Sequence, residues 1–236
     1  MPRFFVPKAQ IPTITGTDVH QIRDVLRLKP GDELELLDGS GKIYFSKITE
    51  MKKDKITCEI LEHRTSNVER RTQVAIAQCL PKAKKMDLII QKCTELGAHK
   101  IIPTLSERSI AKGEKLERWK KIAKEASEQS GRTTIPEIAP LTNFAEVLKQ
   151  KKDYDLALIP WELEQEQTLK SVLTTALRTP STTILILIGP EGGFSQKEID
   201  LAKEAGFTPI SLGKRILRTE TAGLAIMAMI NYQYDQ

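Results

Sequence analysis

Residues 183–200 read TILILIGPEGGFSQKEID, and this stretch decides the fold. Its first six residues form an unbroken apolar run rich in β-branched side chains. That is the pattern of a strand covered on both faces, as in a parallel sheet. Gly189, Gly192 and Gly193 then let the backbone approach a ligand closely, and Pro190 stiffens the loop. Ser195 with Glu198 three residues later is a capping-box signature, so a helix follows. Buried strand, glycine-bearing loop and helix together make the unit of an α/β domain. Ligands of such domains bind beyond the carboxyl ends of the strands.

The same alternation extends outward. Toward the C-terminus, Pro209–Leu212 reads as a strand and Glu220–Tyr232 as the last helix. That helix is apolar nearly all round from Leu224 to Ile230 and is expected to be buried. Toward the N-terminus, strands at Gln73–Leu80, Lys100–Leu105 and Leu156–Pro160 alternate with helices. The helices are expected at Lys84–Leu96, closed by Gly97, at Lys115–Gln129 and at Gln165–Leu177. A parallel α/β sheet over residues 72–236 follows.

Residues 1–71 have a different texture. Thr17 is placed to cap a short helix with Val19, Ile22, Val25 and Leu26 on one face. Glu33–Leu37 and Lys42–Ile48 are strand-like about the turn Asp38–Gly41, and Lys55–Leu61 is a third strand in which Ile56, Cys58 and Ile60 alternate. Short strands and tight turns suggest a small β-barrel. The polar stretch Glu62–Arg71 reads as the linker to the second domain.

Bulk properties narrow the function classes. The chain has 236 residues, 40% hydrophobic and 28% charged, an ordinary globular balance. A net charge of +5 suits a polyanionic partner without requiring one. Cys58, Cys79 and Cys93, and likewise His20, His63 and His99, are scattered, so neither a disulfide framework nor a metal site is expected. The longest apolar runs, Ile184–Ile188 and Gly223–Ile230, fall far short of the roughly 20 residues of a membrane span. The N-terminus lacks a signal pattern, and a cytoplasmic protein without membrane attachment is expected.

A second strand-to-helix loop, LGKRILRTETA at 212–222, gathers three cations, a carboxylate and two hydroxyls. Alone it fits a solvated loop with Glu220 and Thr221 favouring a helix N-terminus. The glycine-rich loop alone fits a plain turn, although one glycine would suffice for that. A phosphate cradle is disfavoured, because the GxxxxGK[ST] and GxGxxG spacings are both absent. Two such loops on neighbouring strands point to a small-molecule pocket and leave the molecule open.

LIGPEGGFSQKEID followed by ISLGKRILRTETA resembles the C-terminal signature of the RsmE family of ribosomal RNA uridine-N3 methyltransferases, in the SPOUT superfamily. RFFVP at 3–7, HQIRDVLRLKPGD at 20–32, QKCTELGAHKIIP at 91–103 and EQSGR at 128–132 carry the resemblance over essentially the whole chain. It implies an α/β fold: a SPOUT-type parallel sheet with a C-terminal trefoil knot at 72–236, preceded by a small PUA-like β-barrel RNA-binding domain at 1–71. General topology rules would never propose the knot, since threaded chains are nearly absent among folds. The resemblance further implies S-adenosyl-L-methionine as methyl donor and a homodimer, with part of the last helix packed on the partner. The implied substrate is small-subunit ribosomal RNA, free or in the assembled small subunit. By position, the donor falls to Ile188, Gly189, Pro190, Glu191 and Gly192 in the first loop and to Leu212, Gly213, Ile216 and Leu217 in the second. The strand end Ile159-Pro160 forms a third wall.

Given that reaction, N3 of uridine must lose a proton before it can attack. Arg218 is the candidate to stabilise charge on the uracil oxygens, with Glu220 as base or as its positioning partner. A Glu220 that merely caps the last helix is an equal alternative. Candidate RNA contacts are Arg3, Arg27 and Lys29, then Lys82, Lys84 and Lys85, and Arg108 and Arg132. Phe4 and Phe5 fit barrel core better than base stacking.

Overall fold

The structure is a computed structural model that describes residues 1–65, 72–83, 85–110, 113–176 and 182–234. The chain divides into two compact units. One is Met1–Glu69 with Ser127–Ile135, and the other is Arg70–Ala126 with Pro136–Gln236.

The first unit holds strands β1 (Arg3–Phe5), β2 (Thr13–Thr15), β3 (Glu33–Leu37), β4 (Lys42–Met51) and β5 (Lys55–Thr65), with helix α1 (Thr17–His20) running into a π-helical turn. The sheet order is β1-β3-β4-β5-β2, with β1 parallel to β3 and the other pairs antiparallel. Register shifts at Phe45/Ser46 and Ile48/Glu50 bend the long β4–β5 pair into a half-barrel. Phe4, Ile14, Ile22, Leu34, Leu36, Ile48 and Ile56 fill its core, so Phe4 is a packing residue and Phe5 is buried too.

Three expectations change here. Gly16, not Thr17, precedes α1, and only Val19 and Ile22 of the expected apolar face are buried, while Val25 and Leu26 are exposed. The π-helical turn rotates those two away from the sheet. The strand placed at Lys55–Leu61 continues to Thr65, because it stays paired with β4 as far as Lys42. Of the linker Glu62–Arg71, therefore, the first four residues are strand and residues 66–71 lie outside those described.

The second unit runs β6 (Gln73–Cys79), α2 (Lys85–Glu95), β7 (Lys100–Leu105), α3 (Leu116–Ser130), β8 (Glu137–Ile138), β9 (Thr142–Asn143), α4 (Phe144–Lys149), β10 (Leu156–Pro160), α5 (Leu169–Ala176), β11 (Thr183–Ile188), α6 (Gln196–Glu204), β12 (Thr208–Ile210) and α7 (Thr219–Tyr234). The last residues of α3 cluster with the first unit. All strand pairs are parallel, in the order β12-β10-β11-β6-β7-β8, with β9 also on β7. β11 lies mid-sheet. Ile184, Ile186 and Ile188 pack into the core with α2 and α7, and Leu185 and Leu187 into the opposite core with α4 and α6. Burial on both faces is why its sequence never alternates.

Two helices depart from expectation. α5 begins at Leu169 rather than Gln165. The Glu164 carboxylate accepts hydrogen bonds from the backbone N–H groups of Glu166 and Gln167, and the Thr168 hydroxyl accepts one from Ser171 N–H. These groups hold the segment in turns and move the cap to Thr168. α7 is only partly buried: Ile226, Met227 and Ile230 are in the core, whereas Ala228, Met229 and Tyr232 are exposed, Tyr232 by 74%. β8, β9 and α4 are too short to have announced themselves in the sequence.

Candidate active site

The two glycine-bearing loops do not follow adjacent strands as expected: β10 lies between β12 and β11, parallel to both, and the loops after all three meet at one edge of the sheet. They enclose a cavity of about 460 Å³. Pro160, Trp161 and Glu162 wall it after β10, Ile188–Phe194 after β11 and Ser211–Thr219 after β12, and Lys85 at the start of α2 also lines it.

The β11 loop is fixed by its own chemistry. The Pro190 carbonyl accepts from Gly193 N–H at 3.0 Å, closing a turn in which Gly193 takes φ 65°. A side chain at Gly193 would be strained there and would meet the Glu162 carboxylate at 2.9 Å. A β-carbon on Gly189 would meet the buried Phe194 ring at 3.1 Å. The loop ends in a capping box, with Ser195 and Glu198 bonded reciprocally. Glu198 also accepts from Glu107 N–H at 2.8 Å, and the Glu107 carboxylate accepts from the Ser195 hydroxyl at 2.8 Å. This lashes the 106–109 turn to the loop, and Arg108 Nη1 donates to the Gly192 carbonyl at 2.9 Å.

A buried relay joins the two glycine-bearing loops. Gln78 Nε2, at the end of β6, donates to Thr219 Oγ1 at 2.9 Å, and Thr219 Oγ1 donates to the Gly189 carbonyl at 2.5 Å. A charged cluster joins the same loops. Lys85 Nζ lies 3.1 Å from Glu191 Oε1 and 3.1 Å from Glu220 Oε2, and Glu191 also accepts from Lys82 N–H at 3.0 Å. Burial pushes the Glu220 carboxyl up. Its own backbone N–H, the Lys85 hydrogen bond, and the Lys85 and Arg218 charges outweigh that and hold it below the usual carboxylate range. Glu191 is held low by the same balance, with burial opposed by its own N–H, by Lys85 and by Lys82 N–H. The Glu191 and Glu220 hydrogen bonds in turn raise the Lys85 ammonium.

Comparison with known proteins adds to this geometry. Residues 68–231 match the family model for an RNA methyltransferase domain, and residues 14–61 the model for an RNA methyltransferase PUA domain. The ribosomal RNA small subunit methyltransferase E of Bacillus subtilis is 38% identical over 250 aligned positions, covering all of this chain and 98% of that protein. The chain belongs to the ribosomal RNA small subunit methyltransferase E family. The Synechocystis member is 35% identical over 93% of this chain and 72% of its own length. Among solved structures, the Neisseria gonorrhoeae member bound to S-adenosylmethionine superposes with a TM-score of 0.88 at 35% identity, over 99% of this chain and 98% of the other. A Legionella pneumophila protein in complex with the same cofactor gives 0.89 at 29% identity, over 99% and 98%.

In this family member the residues picked from sequence fall into distinct places. Ile188, Gly189, Pro190, Glu191, Gly192, Leu212, Gly213, Ile216 and Leu217 all line the cavity. Leu212 and Leu217 are half-buried against the core, whereas Ile216 is 85% exposed at the mouth. Arg218 lines the cavity from an exposed position, and Glu220 lies within ion-pair reach of Lys85. Pro160 reaches the cavity, whereas Ile159 is in the core. The cations assigned to RNA are dispersed. Arg3 is paired with Glu35 at 2.6 Å and donates to the Gly131 carbonyl at 2.7 Å. Arg132 is half-buried, and burial pulls its guanidinium down to about 10. Arg108 is held against the β11 loop and Lys85 lies in the cavity wall, while Arg27, Lys29 and Lys82 are exposed. Lys84 lies outside the described residues.

Sequence reasoning passed over Gln78, Thr219, Trp161, Glu162 and Phe194, and saw Lys85 only as a phosphate contact. A signal existed for Gln78: it interrupts an otherwise apolar strand, and a buried amide needs partners.

Proposed function

We propose that this chain is an S-adenosylmethionine-dependent methyltransferase that modifies N3 of a specific uridine in small-subunit ribosomal RNA. The observation that carries the reading is the cavity at the carboxyl ends of β10, β11 and β12, in a chain related over its full length to the small-subunit methyltransferases. Its volume falls within the roughly 300–1,000 Å³ of small-ligand sites. Ile188, Leu212 and Leu217 offer apolar walls for an adenine, and Glu162 and Glu191 bring carboxylates into a lining that also carries Lys85, Lys214, Arg215 and Arg218. The Gly189 carbonyl already accepts from Thr219 and keeps one lone pair, so it and the other backbone groups of the two loops are available to the donor.

When bound, the donor supplies an electrophilic methyl group. The protein positions the uridine and manages its N3 proton. Arg218, exposed at the cavity, stabilises negative charge developing on the uracil oxygens. A carboxyl held below its usual range is poorly matched to deprotonating an imide, so Glu220 serves as a positioning partner rather than as the base. Positioning then supplies much of the rate.

Residues 1–71 serve as the RNA-binding domain and 72–236 as the catalytic one. The C-terminal segment forms a trefoil knot. In support, α7 returns from the edge strand β12, past β10 and β11, to pack on β6 and α2. Two copies form a homodimer through the exposed apolar residues of α7, and the enzyme works in the cytoplasm on the RNA or the assembled subunit. Among the described residues, no helix is long and apolar enough to cross a membrane.

The test is mass mapping of small-subunit ribosomal RNA from a strain lacking the gene, with purified protein and S-adenosylmethionine added back. One methyl group should be missing from a uridine and should return on addition. Arg218→Ala should restore it at least tenfold more slowly while binding the donor nearly as tightly. An unaltered methylation map excludes the proposal, and a defect confined to donor binding excludes the role given to Arg218.

A further inference from the structure

We infer that Lys85 is a positioning residue that clamps the donor pocket, holding Glu191 of the β11 loop and Glu220 of α7 on the first turn of α2. The inference rests on the donor-pocket reading above and adds to it a residue and a condition for closure. Three elements far apart in sequence converge on one ammonium, with both carboxylate oxygens at 3.1 Å. Lys85 stands in the first turn of α2, where the helix dipole disfavours a cation. The two carboxylates offset it there, Glu191 from the β11 loop that walls the cavity and Glu220 from the first turn of α7. Glu191 is further fixed by Lys82 N–H, so the clamp ties the β11 loop to the backbone entering α2. Glu220 Oε2 is buried and has no side-chain partner among the described residues besides this ion pair, so without Lys85 only its own backbone N–H and the Arg218 charge would offset it.

The charged groups acting on Glu220 are Lys85 from α2 and Arg218 just before α7, and Glu191 reaches the same ammonium from the β11 loop. Remove Lys85 and the two carboxylates, each 3.1 Å from the same ammonium, lose their shared counter-charge, so each takes up a proton more readily than in wild type. Protonation removes negative charge beside a cationic donor, so donor affinity falls with pH where it was flat.

The experiment is calorimetric titration of S-adenosylmethionine and S-adenosylhomocysteine into wild type, Lys85→Met and Lys85→Arg from pH 5.5 to 8. Wild type should bind with constant affinity. Lys85→Met should bind more weakly at every pH and lose on the order of a further tenfold toward pH 5.5, the equivalent of one pKa unit. Lys85→Arg should restore a flat profile. A donor profile for Lys85→Met that matches wild type, with a raised KM for RNA and a shallower salt dependence, makes Lys85 a phosphate contact and overturns the clamp. A second measurement is independent of the donor. Glu191 and Glu220 are lowered in the folded state, so their contribution is present above about pH 4.5 and lost as pH falls through the folded values. The melting temperatures of wild type and Lys85→Met should therefore differ at pH 7 and converge below pH 4. Failure of wild type to bind the donor defeats the functional reading, whereas equal melting temperatures at pH 7 defeat the clamp.

Discussion

At the scale of single residues, Thr219 joins chemistry to architecture. Its hydroxyl receives a hydrogen bond from Gln78 and gives one to Gly189, so one atom sets the spacing of the two loops around the cavity. Thr219→Val keeps the shape and removes both bonds. It leaves the half-buried Gly189 carbonyl without its partner, a loss toward the lower end of the roughly 1–3 kcal/mol of a buried group. Donor affinity should fall with stability, and Thr219→Ser should retain most of both, as measured by chemical denaturation and donor titration. Gly189 illustrates a different constraint. A substitution there presses on Phe194, which packs on Phe144 and on the core beneath α6, so even Gly189→Ala disturbs packing as well as the pocket.

At the scale of elements, α7 has two faces with different fates. Ile226, Met227 and Ile230 hold it to β6, β11 and α2, and Asn231 donates to the Leu96 carbonyl at 2.8 Å. Ala228, Met229 and Tyr232 stand exposed on the other side. An all-apolar helix with one uncovered face is what a homodimer would bury. In light scattering, the double substitution Ala228→Glu with Met229→Glu should convert the proposed homodimer to a monomer. Stability of the isolated chain should change by no more than about 0.5 kcal/mol, because both positions are solvent-exposed. α5 and α1 teach the complementary lesson. Their apolar periodicity was legible, but their first turns were set by Glu164, Thr168 and Gly16, whose local hydrogen bonding and backbone freedom compete with helix.

At the scale of the whole molecule, burial governs the titratable groups that chemistry leaves aside. Burial alone pushes the Cys58 thiol up to about 11 and Cys93 to about 12; burial, opposed by a Ser106 hydrogen bond and aided by the Glu198 charge, carries Cys79 to about 12. All three are raised from an ordinary value of 9.0, so stability is full below pH 9 and declines as pH rises toward the folded values. Urea unfolding should show a lower midpoint at pH 10 than at pH 7.5. At pH 8 a thiol reagent should leave the native protein nearly untouched and titrate all three cysteines once it is unfolded.

The sequence by itself determined the parallel sheet, the two loops and most of the helices. Those features rest on local patterns: β11 is apolar because it is covered twice, and Ser195–Glu198 caps its own helix. The sequence pattern marked the two loops as a pocket, and the family resemblance added Arg218 and the donor positions as candidates. Only the tertiary structure decided that β12, β10 and β11 are neighbours, and hence that their loops close one cavity. It alone turned Lys85 from a surface cation into part of the pocket wall and set Arg108 against the β11 loop. It also tied Arg3 to Glu35 and Gly131. The reason is physical: the partner of a charge lies on another element, and no period or spacing along the chain records which element comes to rest beside it.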